Sequence, residues 1–277
     1  GLPMIVPAAT EAGFTRLAET AFQLSPNIEL QGIRMADYAI NTLGAQTAAV
    51  ISSTSNDYLR MTHAFSHRFE QLGGVIIATE YYRVRDKDFG PYIRDIKGFL
   101  HGAILDSVYY IDERGDTIDV DGLSASVDCL FLPGNSEQVR LLLPQINFYN
   151  LRGQYLGTDG WGNEAIYRLG DNVTRQAIFP SPFLPKRPTD EAIRFAAAYD
   201  TRFGTRPERL ARLGYDAVRL IVLAAGAGAS SRDEIAEYLR RVTDYPGATG
   251  EITFGPNHEN IELPLYRIEE GAPVPLD

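Results

Sequence analysis

The chain has 277 residues, 44% of them hydrophobic and 22% charged, which is ordinary for a globular protein and enough for one large domain or two lobes. A net charge of −10 argues against a nucleic-acid partner, whose phosphates need a basic face, and says little about a small zwitterion. The single cysteine, Cys129, cannot form an internal disulfide, and no apolar run reaches the roughly 18 residues that a membrane-spanning helix needs.

The chain opens directly on an apolar strand, PMIVPA at 3–8. Because a core strand rarely begins a protein without lead-in, a missing front part is expected, and any targeting signal would lie in it. A helix at 29–44 follows, ending in Gly44, and then a strand at 47–53. In the next segment Tyr58, Met61, Phe65, Phe69 and Leu72 recur at helical spacing, and Gly73 stops the helix. Further strands are expected at 74–82, 128–134, 153–160 and 176–183, each short, rich in Val, Ile, Phe or Tyr and bounded by turn residues. The helix at 136–149 starts on a Ser136 cap, and Pro144 should kink it or end its first segment. Helices at 189–204 and 208–228 come next, and then one opened by Ser231 and Glu234 at capping-box spacing. Residues 98–126 break this rhythm, being too long for a compact connection; within them SVYYIDERGDTIDVDG reads as a surface hairpin with ERGD at its tip. Cys129, in an apolar run, reads as a small buried hydrophobe.

Alternating strands and helices imply an α/β fold with a mostly parallel sheet, since several strands are apolar nearly throughout. Ligands in such sheets bind beyond the carboxyl ends of the strands. Four loops stand at such ends: PAATE, SSTSNDY, PGNSEQ and LGTDGWGN. Catalytic signatures are missing from the sequence. It has no Gly-x-Ser-x-Gly elbow, no Walker loop and no Gly-x-Gly-x-x-Gly after a strand. His63 and His67 are four apart but fall opposite Phe65 and Phe69, on a polar face, and the acids between 112 and 121 lack calcium-loop spacing. No catalytic residue, metal ligand or cofactor is expected.

Binding reads better. Small residues around Ala8 let a ligand carboxylate approach backbone N–H groups, and Thr10 adds a hydroxyl donor; the plain alternative makes Thr10 a helix N-cap. Asp159 supplies an acceptor for an ammonium, or else bonds its own turn. Tyr58 walls the site or joins the core. Trp161, the one tryptophan, lines the cleft or packs beneath the loop.

Several stretches together carry a resemblance. Pro7-Ala8-Ala9-Thr10, Phe22-Gln23-Leu24-Ser25-Pro26, Gln31-Gly32, NDYLRM, LGTDGWGNEA, RFGTRPERLARLGYDAVRLI and GATGEITFGPN occur in the order found in Leu/Ile/Val-type periplasmic binding proteins of ABC transporters. The chain resembles that family from Pro3 to about Arg267, with Leu59 in place of a usual glycine. The resemblance implies a type I fold of two lobes, mostly parallel sheets flanked by helices. Residues 1–24 and 181–250 would form a partial lobe one, and 25–180 and 251–277 lobe two, hinged near Leu24, Pro180 and Gly250. It implies that Ala8 and Thr10 hold a ligand carboxylate, that Asp159 holds its ammonium, that Tyr58 packs across it and that the loop at Gly134 lines the same lobe, Trp161 being counted with these. The expected ligand is an amino acid or related zwitterion, and the expected partners are an ABC transporter permease and the absent amino-terminal segment, whose lack would leave helices 189–204 and 208–228 with exposed apolar faces. The expected location is periplasmic or otherwise extracytoplasmic, with a lipid anchor as one possibility. A subgroup resemblance, carried by FLPGNSEQVRLLLPQINFYNLRGQYLGTDGW, is to penicillin-binding protein activators, and implies the alternative of a non-catalytic docking lipoprotein.

Overall fold

The computed structural model describes residues 1–101, 109–111, 117–119, 123–182, 184 and 188–276. In chain order the elements are β1 (Met4–Val6), β2 (Ala21–Gln23), α1 (Ile28–Asn41), β3 (Thr47–Ser53), α2 (Asn56–Gln71), β4 (Val75–Tyr82), α3 (Gly90–His101), β5 (Tyr109–Ile111), β6 (Thr117–Asp119), β7 (Ala125–Phe131), α4 (Ser136–Phe148) and β8 (Leu151–Leu156). They continue with α5 (Glu164–Tyr167), α6 (Asp171–Thr174), β9 (Ile178–Pro180), α7 (Asp190–Phe203), α8 (Arg209–Gly226), α9 (Arg232–Arg240), β10 (Tyr245–Pro246), β11 (Glu251–Ile252), β12 (Leu265–Glu269) and β13 (Ala272–Pro275).

The chain divides into two compact units. Unit 1 comprises Gly1–Leu30 and Ser181–Pro264; unit 2 comprises Gln31–Pro180 and Leu265–Asp277. Two crossings therefore differ from the sequence expectation. Residues 25–30 belong with unit 1, where the Ile28 N–H donates to the Thr10 carbonyl (3.0 Å) and the Asn27 amide donates to Glu259 (2.5 Å). Residues 251–264 also belong there, because Ile252 and Phe254 are buried in the unit 1 core and β11 pairs with β10. Gly250 is thus a turn residue inside unit 1, not a crossing.

Unit 2 is built on a seven-stranded sheet in the order β13-β12-β9-β8-β7-β3-β4. Strands β4, β3, β7, β8 and β9 run parallel, while β12 and β13 are antiparallel additions. The chain moves outward from β3 to β4 and then returns to β7 on the other side of β3. That reversal creates a crevice at the carboxyl ends of β3 and β7, where open sheets of this kind bind ligands. Apolar burial fixes the register: Val50, opposite Phe131, is fully buried, and the Phe65 ring of α2 stacks on Phe131 with centroids 4.2 Å apart. Helices α1 and α2 meet at Gly32, where a Cβ would fall 2.8 Å from the Phe65 amide nitrogen and closer still to the Met61 carbonyl oxygen. Only a hydrogen atom fits there, and an Arg68–Asp37 ion pair at 2.7 Å ties the same two helices. Cys129 is buried, its thiol pushed up to about 12 by burial first and by Asp128 second.

Two local expectations need correction. The cap of α4 is Asn135, not Ser136: its side chain accepts the Gln138 N–H (2.9 Å) and the Gln138 side chain accepts the Asn135 N–H, making a capping box. Pro144 does not end α4, which continues through it to Phe148. It sits on the exposed face, so its ring and the carbonyl it leaves unbonded face solvent, while Leu142, Leu143 and Ile146 anchor the helix in the core. Within 98–126, β5 and β6 pair antiparallel, Tyr110 opposite Ile118; the ERGD tip lies outside the described residues.

In unit 1, β1 pairs parallel with β2, and α8, α9 and β11 close over Phe22 and Leu24 with Leu213, Leu220, Ala236, Leu239, Ile252 and Phe254. Asp216 of α8 is fully buried and accepts from the Ala248 N–H (2.6 Å), the Thr249 N–H (2.9 Å) and the Thr249 hydroxyl (2.6 Å), fastening the β10–β11 turn to the helix. Helix α9 begins with the expected Ser231–Glu234 capping box. The opposite side of α8 presents Leu210, Val218 and Val222, each more than half exposed, with open space beside Gly214.

Candidate ligand-binding site

Three of the expected residues converge in unit 2 at the carboxyl ends of β3, β7 and β8. After β3 the chain turns at Ser53–Ser55, and Tyr58 lies in the first turn of α2. After β7 comes Pro133-Gly134-Asn135, and after β8 comes Gly157-Thr158-Asp159-Gly160, with Asp159 opening a short 3₁₀ turn. The three loops touch at Gly160. A Cβ there would stand 2.8 Å from the Gly134 carbonyl oxygen and 3.6 Å from the Tyr58 hydroxyl, so these groups come this close only because position 160 is glycine.

Gly134 has its own reason to be glycine: a side chain would run into the Tyr82 hydroxyl, which donates to the Pro133 carbonyl (3.4 Å) beneath the loop. The same carbonyl accepts the Ser53 N–H (3.2 Å), joining the first two loops. The buried Tyr82 phenol is pushed well above its ordinary pKa by burial, so it stays a neutral donor.

Asp159 and Tyr58 are both half-buried. The Tyr58 phenol is raised to about 12, by burial first and then by the Asp159 and Asp57 carboxylates. Two carboxylates thus bias this corner toward positive charge, and Tyr58 offers a neutral hydroxyl and a ring face. Such a corner suits an ammonium group, held by carboxylate, hydroxyl and aromatic ring together. The Asp159 N–H donates to the Gln31 side-chain oxygen (2.9 Å), a partner that sequence reasoning missed. In the sequence Gln31 stands only beside Gly32 in a motif, and nothing in its spacing points to a loop more than a hundred residues away.

Trp161 takes the second of its two expected places. Its ring packs beneath the loop, against Gly157, and its indole N–H donates to the Leu132 carbonyl (3.2 Å). It is fully buried, so the ring is closed to a ligand in this conformation and serves instead to brace the loop.

Ala8 and Thr10 belong to unit 1, in the loop after β1. Ala8 is exposed and Thr10 half-buried. Thr10 does not cap the following 3₁₀ turn, whose N-cap is Gly13; its carbonyl instead accepts the first N–H of α1. The Ser25 hydroxyl bonds the Pro7 carbonyl (2.9 Å), so the loop is held from both ends. His63 and His67 stack on the exposed face of α2, and no group of metal-ligating side chains is found among the described residues.

Comparison with known proteins adds the family. Residues 123–269 match the sequence profile described as periplasmic binding protein. No curated protein sequence matches significantly. Among solved structures, the chain is similar to a leucine-binding protein from Thermotoga maritima, at 22% identity and TM-score 0.70, covering 99% of this chain and 72% of that one. It is similar to a branched-chain amino acid transporter substrate-binding protein from Streptococcus pneumoniae, in complex with isoleucine, at 22% identity and TM-score 0.63 over 98% and 70%. A solute-binding protein from R. palustris, in complex with benzoate, aligns at 15% identity and TM-score 0.66 over 99% and 70%.

Proposed function

Starting from the fact that the chain belongs to the periplasmic binding protein family, and is therefore a solute-binding protein and not an enzyme, we propose that it captures an amino acid or a closely related zwitterion. The observation that carries this reading is the meeting of Asp159, Tyr58 and the Gly134 loop at the carboxyl ends of β3, β7 and β8. Asp159 takes the ligand ammonium and Tyr58 lies across it. Unit 1 separately offers a ligand carboxylate the N–H groups of Ala8 and Thr10 and the Thr10 hydroxyl. The acidic character of the unit 2 corner supports a cationic ligand group there, as does the presence of isoleucine in a structurally similar protein. The protein works outside the cytoplasm, as its family does, and no helix among the described residues is long and apolar enough to cross a membrane. In this reading it delivers its ligand to an ABC transporter permease.

The test is calorimetric titration with each of the twenty amino acids, run beside Asp159→Ala. Binding by the wild type that weakens by about 2–5 kcal/mol in the variant is expected, because a charged ligand group would lose its partner. Heat of equal size from both proteins would remove Asp159 from the site. No heat from any amino acid would refute the zwitterion reading and favour a docking role.

A further inference from the structure

Gln31 and Gly32 are neighbours on α1, and the binding reading uses neither. Gln31 is only 5% exposed, and its Oε1 accepts the Asp159 N–H. Gly32 lies against the backbone of α2 between Met61 and Phe65, one turn beyond Tyr58. One helix therefore holds both halves of the ammonium corner: Asp159 through a hydrogen bond and Tyr58 through a backbone contact that leaves no slack. Helix α1 is also where the chain passes from unit 1 into unit 2, between Leu30 and Gln31.

We infer that Gln31 is a positioning residue for ligand binding. It fixes the Asp159 loop to α1, and α1 is fixed to the helix bearing Tyr58, so the spacing of carboxylate and phenol follows the placement of α1. Gln31 touches no ligand in this scheme. Without its oxygen the Asp159 N–H loses its partner, the turn at 159–161 loosens over Trp161, and the carboxylate is no longer held where the phenol meets it. The affinity arm of this inference rests on the ligand reading given above; the positional arm does not.

Two variants separate them. Gln31→Met keeps the length and removes the acceptor, while Gln31→Glu keeps an oxygen to accept the N–H. Hydrogen exchange over residues 157–163, acrylamide quenching of Trp161, the urea midpoint, and calorimetry with the amino acid that wild type binds best are measured on all three proteins. In Gln31→Met, exchange at 157–163 is expected to quicken and affinity to fall, each by about tenfold, with the urea midpoint lowered by no more than the loss of a single hydrogen bond. Gln31→Glu is expected to restore both. Unchanged exchange at 157–163 in Gln31→Met overturns the inference whether or not a ligand is found. Faster exchange with unchanged affinity also overturns it, as does parallel loss in both variants. If wild type binds no amino acid, the ligand reading fails, and the exchange comparison alone decides whether Gln31 holds the loop.

Discussion

Two glycines in helices should respond in opposite ways to the same change. In an isolated helix, Gly→Ala is favourable by about 1 kcal/mol, because glycine loses more backbone freedom on ordering. At Gly32 that gain meets backbone. The new methyl would sit 2.8 Å from the Phe65 nitrogen and closer to the Met61 oxygen, where ordinary contact begins near 3.4 Å. Neither atom can rotate away, so α1 must retreat from α2 and the packing around Phe65 and Phe131 must loosen. Overpacking costs about 1–3 kcal/mol, and contacts this short against backbone belong at the upper end, so Gly32→Ala should destabilise unit 2 by roughly 1–2 kcal/mol net. Gly214 on α8 has nothing within 4 Å of the corresponding position, so Gly214→Ala should stabilise unit 1 by about 0.5–1 kcal/mol. Urea titration reads both, with Trp161 emission following unit 2 and hydrogen exchange across α8 following unit 1. A Gly32→Ala protein as stable as wild type, or two variants shifting in the same direction, would refute the argument that α1 and α2 touch backbone to backbone.

Three further outcomes are expected. Gly157→Ala places a methyl 2.5–2.6 Å from atoms of the Trp161 ring, so the ring must leave its slot; red-shifted emission and weaker amino acid binding should follow, and unaltered emission would mean the ring does not rest on that glycine. Asp216→Ala orphans three donors and should lower the stability of unit 1 by about 3 kcal/mol or more, with Asp216→Asn between it and wild type, as read from hydrogen exchange across α8 at rising urea. His258, stacked on Phe22 at 4.8 Å, titrates below its usual 6.5, through burial first and Arg240 second. The unfolded chain therefore takes the proton first as pH falls through 6.5, so stability drops from there down to the folded pKa and levels off below it. His258→Asn, which tolerates the local φ of 59°, should flatten that slope; an equal slope in both proteins would assign the acid loss to other groups.

The parts of the fold readable in the sequence were those where one signal dominates. Thr47–Ser53 is apolar and β-branched between turn residues, and its bounds were placed to the residue. The apolar spacing from Tyr58 to Phe69 set α2, and Ser231 with Glu234 set the start of α9. Helix α3 is legible only as a helix ahead of Gly98 without a start, because it opens on Gly90-Pro91, residues that usually mark a turn; proline in a first helical turn is the signal that identifies it. The β12–β13 hairpin was missed because Glu270-Gly271 is a poor match to common turn pairs, although both residues adopt positive φ. In the site, chemistry was legible and partnership was not. Asp159 stood out as a lone carboxylate among glycines, whereas the Gln31 that holds it and the Tyr82 under Gly134 are set by folding across distant segments. The crossing at 264/265 escaped because Ile252 and Phe254 read equally well as part of either unit until packing placed them.

The order of segments in unit 2 has a consequence for biosynthesis. β9 is paired on one side by β8 and on the other by β12, which arrives only after all of residues 181–264 have been made. In a protein that works outside the cytoplasm this strand emerges on the far side of the membrane ahead of unit 1, and it remains an open edge there until β12 has followed. Its unpaired N–H and C=O groups are during that time available to any other nascent strand. Translation that stops before Leu265 would leave the exposure permanent, so truncated products of this gene should be conspicuous clients of chaperones and proteases even though most of the sheet, and the Asp159 corner with it, is already complete.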